Sequence, residues 1–300
     1  MSRIAITGAS GLIGRALTAS LSADGHSVQR VTRHPQGADD VAWDLDARTI
    51  EAGKLEGVDA VVHLAGEPIG AARWSDDTKH RIRESRVVGT TLIAESLAAL
   101  DQPPAVLVSA SGANYYGDRG DEVLTEDSGP GDDFLASVCV AWEEAADPAR
   151  EAGIRTVHAR SAAVIAKEGP LIDKLELPFK LGVGGKVGSG RQYMPWISLD
   201  DEVRALRFLI DRDLAGPVNL AGPEPATNYE LTKALGSVLR RPTVLPIPTA
   251  AIRAMYGEMG EALALTSMRI VPQRLLTAGF SFRHATLTAA LQAALGRRGR

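Results

Sequence analysis

The 300-residue sequence holds a single cysteine, Cys139, so no intrachain disulfide is available and a reducing compartment fits. No stretch approaches the roughly 20 apolar residues needed to cross a bilayer. Positive charge is not in excess either: the formal net charge of −4 argues against nucleic-acid binding driven by charge. The only dense basic run, Arg297, Arg298 and Arg300, reads as a solvated tail. The six histidines show no metal-ligand spacing, since no second His or Cys follows His63 at three or four residues, and no metal is expected. Met1 to Ile6 runs into Thr7, Gly8, Ser10 and Gly11 instead of a continuous apolar core with a cleavage site. It therefore reads as a first strand, not a signal peptide, with no membrane partner and the cytoplasm as the expected location.

What is present is globular. With 45% apolar and 23% charged residues, the chain can bury a sizeable core. It is long enough for two ordinary domains, or for one large α/β domain with a smaller lobe.

The first half alternates strand-like and helix-like segments. Arg3 to Thr7 is a short β-branched run ending in a glycine turn. From Leu12, apolar Ile13, Ala16, Leu17 and Leu21 fall at helical spacing, closed by Gly25. Ser27 to Thr32 reads as the second strand, Val41 to Trp43 as a short third, and Asp59 to Leu64 as a strand covered on both faces. A long helical pattern carries Ile82, Val87, Leu92, Ile93 and Leu97 and stops before Pro103. Ala105 to Ser109 is the next strand, Asp132 to Ala152 a helix that Pro148 breaks or bends, and Ile154 to Arg160 a sixth strand. This order predicts a Rossmann-type doubly wound parallel sheet over residues 1–166. After Lys167 glycines crowd Leu181 to Gly190, predicting a loop with one short strand. Helical patterns return at Asp200 to Ile210, Asn228 to Leu239 and Ala250 to Met259. Residues 167–300 read as a smaller mixed α/β lobe on the substrate side, with a strand free to return to the main sheet.

Gly8-Ala9-Ser10-Gly11-Leu12-Ile13-Gly14 lies between the first strand and the first helix, the setting of a pyrophosphate-binding turn. Gly8 permits the tight exit, Gly11 lets backbone amides approach the phosphates, and Gly14 lets helix and strand pack closely. The helix N-terminus adds unpaired amides and a positive dipole end. At the end of the second strand stands Val31-Thr32-Arg33-His34, with no carboxylate for a ribose 2′-hydroxyl. Arg33 there suits a 2′-phosphate, so NADP(H) is the expected cofactor, against the bland alternative of a solvated loop arginine. Arg30 points to the opposite face of a regular strand.

The chain resembles the extended short-chain dehydrogenase/reductase superfamily, and more narrowly its atypical nucleoside-diphosphate-sugar-epimerase-like, or "epimerase family", branch. The resemblance covers nearly the whole chain. It is carried by Gly8 to Gly14, Trp43-Asp44, His63 to Glu67, Ser109 to Gly117, Trp142-Glu143, Gly188 to Ile197, and Pro272-Gln273-Arg274 with Gly279-Phe280. It implies that Asp44 sits by the adenine, and that Leu64, Ala65 and Gly66 line the adenosine ribose and nicotinamide side. Arg86 is then a cofactor contact by position, or else a surface helix arginine. Homodimers in this superfamily form through two long helices, here roughly Thr78 to Leu100 and Asp132 to Ala152, and a homodimer is possible. Arg191, Gln192 and Trp196 fall on the substrate side, with Trp196 stacking on a ring or anchoring the lobe.

Catalysis is where the sequence departs from the superfamily. The usual serine after the fifth strand is matched by Ser111, with Ser109 close by. The usual Tyr-x-x-x-Lys is absent: Cys139 stands in the tyrosine place and Glu143 in the lysine place. Replacements are Tyr115 or Tyr116 as a phenol, and Glu67 or Glu143 as a carboxylic acid raised by burial. Cys139 reads as a small apolar packer. Ser111 with Glu143 or Tyr116 is the favoured set. The chain reads as an NADP(H)-dependent oxidoreductase or epimerase-like enzyme acting on a small carbonyl, alcohol or sugar-like substrate. The rival is a noncatalytic NADP(H)-binding redox sensor, which the missing Tyr/Lys pair favours.

Overall fold

The computed structural model describes residues 1–296, so the arginines at 297, 298 and 300 lie outside the described residues. Strands β1 (Arg3–Thr7), β2 (Ser27–Thr32) and β3 (Val41–Asp44) alternate with helix α1 (Leu12–Ala23). The two-residue β4 (Thr49–Ile50), which the sequence pattern did not show, pairs antiparallel with β3. Then follow β5 (Ala60–His63), α2 (Asp76–Ala98), β6 (Val106–Gly112) and β7 (Val123–Leu124).

The helical stretch expected to Ala152, broken or bent at Pro148, is broken into two, α3 (Phe134–Glu144) and α4 (Asp147–Glu151). Pro148 has no amide to donate into a continuing helix, and it sits in the first turn of α4, where none is needed. Asp133 starts α3 by accepting the Ala136 amide at 2.8 Å. Next come β8 (Arg155–Ser161), β9 (Ala163–Ile165), α5 (Pro170–Lys180), β10 (Trp196–Ser198), α6 (Leu199–Asp211) and β11 (Gly216–Leu220). The chain ends with α7 (Asn228–Leu239), α8 (Thr249–Gly260), β12 (Arg269–Ile270), α9 (Gln273–Thr277) and α10 (Leu287–Ala294).

The central sheet has the order β11-β8-β6-β5-β1-β2-β3-β4 and is parallel apart from the β3–β4 pair. The order in which strands are added reverses between β1 and β5, which leaves a crevice beyond their carboxyl ends. Alternation along β1 explains the layering. Ile4 and Ile6 join Leu17, Leu21 and Leu206 on the α1 and α6 face, while Ala5 joins Ile93 and Leu97 on the α2 face. Each fully buried Leu or Ile contributes about 1.5–3 kcal/mol relative to exposure.

A third cluster, including Ile172, Phe179, Trp196, Leu235 and Leu291, binds α5, α7 and α10 beside the β9–β10 pair. Helix α5 was not legible in sequence because it contains Pro178, and Ile172 and Phe179 hold it through burial. The predicted strand within 181–190 is only an isolated bridge from Val187 to Ile247. The chain after residue 167 does not stay apart: α6 packs on α1, and β11 extends the main sheet beside β8. Among the described residues no helix is long and apolar enough to cross a membrane.

Candidate functional site

The crevice is built first by the glycine turn. Gly8 has φ +66°, and a Cβ there would lie 2.9 Å from the Leu64 carbonyl carbon. A Cβ on Gly14 would lie 2.2 Å from the Gly8 oxygen, closer than any carbon contact tolerates. Gly11 donates its amide to the Gly8 oxygen at 2.9 Å and starts α1 with no side-chain cap and no acidic residue in the first turn. The opening amides of Leu12 and Ile13 and the positive end of the helix thus face the crevice free of a carboxylate. Ser10 is exposed, and its carbonyl accepts from the Arg15 guanidinium at 2.8 Å.

Across the crevice, Thr7 shapes the exit of β5. Its Oγ1 accepts the amides of Leu64 at 3.0 Å and Ala65 at 3.1 Å and stands 2.8 Å from His63 Nδ1. With those acceptances filled, the Thr7 hydroxyl donates to Nδ1, assigning the His63 proton to Nε2. Burial pushes His63 down to about 4, so the ring is neutral. Gly66 is exposed, and a Cβ there would meet the Arg86 guanidinium carbon at 3.3 Å. Arg86 is half-buried, not a surface arginine. It donates to the carbonyls of Glu67 and Ile82 at 3.0 Å and lies 4.8 Å from the centre of the Trp142 ring.

At the end of β2, Arg33 is exposed with no partner among the described residues, while Thr32 Oγ1 accepts the His34 amide at 3.2 Å. Arg30 is consumed elsewhere: it grips Asp40 through two bonds of 3.0 and 2.8 Å, which hold the Asp40 carboxyl down to about 2. Asp44 caps the turn after β3 by accepting the amides of Asp46 and Ala47.

The candidate catalytic residues form one network. Ser111 on β6 and Arg160 on β8 are in register, and both meet Glu143 of α3. Ser111 Oγ donates to Glu143 Oε1 at 2.7 Å, and Arg160 reaches the same carboxylate through two bonds of 2.7 and 2.8 Å. Burial works against the Arg160 charge, but the bonds to Glu143 and its attraction outweigh it, holding the guanidinium above its ordinary range. Glu143 is thereby a paired carboxylate, in place of the isolated buried acid that the sequence suggested.

Tyr116 is fully buried and does not present a phenol to the crevice. Its hydroxyl donates to Asn219 Oδ1 at 2.7 Å and accepts from Arg160 at 3.0 Å, and burial pushes it up to about 12. Tyr115 is half-buried under the Arg160 guanidinium, 3.4 Å from its ring centre. Cys139 is buried, and burial pushes its thiol up to about 12. Trp196 anchors the lobe: it is buried, its indole donates to the Glu224 carbonyl at 3.1 Å, and a Cβ on Gly222 would strike its ring at 2.7 Å. Gln192 spends its amide on the carbonyls of Val187 and Ala264, and Arg191 is exposed.

Sequence reasoning did not single out Arg160 or Asn219. The available signal was a charged residue at the end of a strand otherwise read as buried, a position where arginine needs a partner.

Comparison with known proteins agrees with this architecture. A profile described as the NAD dependent epimerase/dehydratase family matches residues 4–221, and one described as a domain of unknown function, DUF1731, matches residues 247–294. The chain is 43% identical to an epimerase family protein of Mycobacterium bovis over 298 residues, covering 99% of this chain and 98% of that protein. A crystal structure of human epimerase family protein SDR39U1 (isoform 2) with NADPH superposes with TM-score 0.88 at 33% identity, covering 98% of this chain and 99% of that one. A nucleoside-diphosphate sugar epimerase from Corynebacterium glutamicum gives 0.82 at 37% identity, with 98% of this chain matched to 58% of that one. With a family match across most of its length and relatives this similar, the chain belongs to the NAD dependent epimerase/dehydratase family.

Proposed function

We propose that the protein binds NADP(H) in the crevice and is an oxidoreductase or epimerase-like enzyme acting on a small carbonyl, alcohol or sugar-like molecule. The glycine cradle fits a dinucleotide: backbone stands where a side chain at Gly8 or Gly14 would collide, and the α1 amides are uncapped. Gly8, Ser10, Gly11, Leu12, Ile13 and Gly14 would hold the pyrophosphate. Asp44, Leu64, Ala65, Gly66 and Arg86 would line the rest of the groove. Thr32 and Arg33 would take the adenosine 2′-phosphate. The NADPH in the human relative's structure supports this choice.

The single observation that carries the catalytic reading is the 2.7 Å bond from Ser111 to Glu143. The bound cofactor supplies a hydride acceptor or donor. Because the Ser111 proton points to a carboxylate, the serine lone pairs are left to accept a proton from a substrate hydroxyl. As an alcohol is oxidised, its proton moves to Ser111 while the serine proton moves to Glu143, and reduction of a carbonyl runs the same path backwards. Arg160 keeps Glu143 aimed throughout. Tyr116 supports the network from inside without touching substrate. The space beside Trp74 and Phe134 favours a substrate-using protein over one that only reports cofactor occupancy.

The test is a parallel titration with NADPH and NADH, followed by nicotinamide fluorescence, in the native protein and in Arg33→Ala. Tight NADPH binding that weakens at least about tenfold in the variant is expected, from loss of a charge-assisted contact. Equal binding of both cofactors removes the role of Arg33. Binding of neither removes the proposal.

A further inference from the structure

A cavity of about 300 Å³ lies between the first turn of α3, Trp74 and the segment after α8. Its apolar wall is Trp74, Phe134, Leu135 and Leu265, and its polar wall is Asp118, Asp133, Glu258 and Glu261 with Arg253. Leu135 of the lining precedes Glu143 on the same helix α3, so the cavity opens about two helical turns from the network of Ser111 and Glu143.

The features here that would attract a phosphate are only in part free: among the lining residues Arg253 keeps its two Nη groups, against four acids. The N-terminus of α3 is occupied by Asp133 Oδ1, which accepts the Ala136 amide at 2.8 Å. Arg253 is engaged through its Nε by Glu261 Oε1. By contrast, each of the four acids keeps one oxygen with no partner among the described residues: Asp118 spends Oδ1 on backbone amides, Asp133 Oδ1 on its cap, Glu261 Oε1 on Arg253, and Glu258 Oε2 on Lys79. Unspent carboxylate oxygens beside aromatic faces suit a hydrogen-bond donor of positive charge. Trp74 and Phe134 meet edge to face at 5.2 Å, and Phe134 already carries the Lys79 ammonium at 5.2 Å. The size points the same way: at about 300 Å³ the cavity lies at the small end of ligand pockets, and a nucleoside diphosphate sugar would not fit inside it whole.

We propose that this cavity is the substrate site for a small organic cation with a flat apolar part, and that it rejects nucleoside diphosphate sugars. The inference names the substrate class for the enzyme reading given above and rests on that reading for its catalytic meaning. The binding preference itself rests only on the cavity.

The test uses the full-length protein and four probes: benzylammonium, benzyl alcohol, benzoate and UDP-glucose, compared by saturation-transfer NMR and quenching of tryptophan fluorescence. Benzylammonium is expected to bind about tenfold tighter than benzyl alcohol, because two or more partly exposed ion pairs act together. Benzoate and UDP-glucose should fail to displace it, and salt near 1 M should shrink the preference to about twofold. The double variant Asp133→Asn, Glu258→Gln should lose most of the preference, while asparagine retains the α3 cap so that the fold survives. Displacement by UDP-glucose, equal binding of benzoate, an unchanged preference in the variant, or binding of no probe would each overturn the proposal. Titration of the same samples with NADPH separates the two readings. Benzylammonium binding without NADPH binding sinks the cofactor reading alone, and the reverse sinks this one alone.

Discussion

Arg160 and Glu143 clasp each other through two parallel bonds of 2.7 and 2.8 Å, with 3% and 12% of their side chains exposed. A buried pair of this kind is costly to break from one side, because the remaining charge has nowhere to go. Glu143→Ala should therefore destabilise the protein by about 3–5 kcal/mol in urea unfolding. Adding Arg160→Met should recover a large part of that loss. A double variant no more stable than Glu143→Ala would show that the ion pair is not the source of the cost.

Tyr116 separates a structural role from a catalytic one. Tyr116→Phe removes the donor to Asn219 and the acceptor of Arg160, both buried, at a cost of about 1–3 kcal/mol. NADPH affinity should stay within about twofold of the native value, since this hydroxyl faces the interior. A large loss of affinity with little loss of stability would put the phenol at the cofactor after all.

The glycine turn predicts a graded series. Gly14→Ala places a Cβ 2.2 Å from the Gly8 oxygen, so α1 must shift away from β1. A cost of about 1–3 kcal/mol is expected, with loss of NADPH binding. Gly11→Ala meets the same oxygen at 3.3 Å and should be milder in stability. Equal effects of the two would mean that close packing does not govern this turn.

Three buried groups, Glu202, His63 and His158, shape the pH range of stability. Burial pushes Glu202 up to about 8, so the folded state keeps a proton that the unfolded chain releases above 4.5, and stability falls as pH rises from 4.5 towards 8. Burial pushes His63 down to about 4, so the unfolded chain takes the proton first, and stability falls as pH drops from 6.5 towards 4. Each group contributes a slope approaching about 1.4 kcal/mol per pH unit. Glu202 and His63 oppose each other between 4.5 and 6.5, and His158, whose ring burial also pushes down, adds to the acid limb. Glu202→Gln should flatten the alkaline limb and raise stability at pH 8, measured by urea midpoints across pH. An unchanged alkaline limb would assign it to another group.

The strands β1, β2, β3, β5, β6 and β8 and their parallel winding were legible because buried strands and amphipathic helices leave periodic apolar marks. The glycine turn was legible because positive φ and close backbone approach admit little else. Local signals failed where burial overrode propensity, as in α5 with Pro178, whereas Pro148 did mark the break between α3 and α4.

By itself the sequence determined β1, β2, β3, β5, β6 and β8, the turn after β1 and the missing Tyr/Lys pair, since these depend on residue type and near neighbours. Tertiary structure alone decided that Ser111, Glu143 and Arg160 share one carboxylate, that Tyr116 turns inward to Asn219, and that Trp74, Asp133 and Glu261 enclose one cavity. Those residues are distant along the chain. Their meeting follows from which strands lie side by side and which way each side chain leaves its element, and a periodic pattern does not record either.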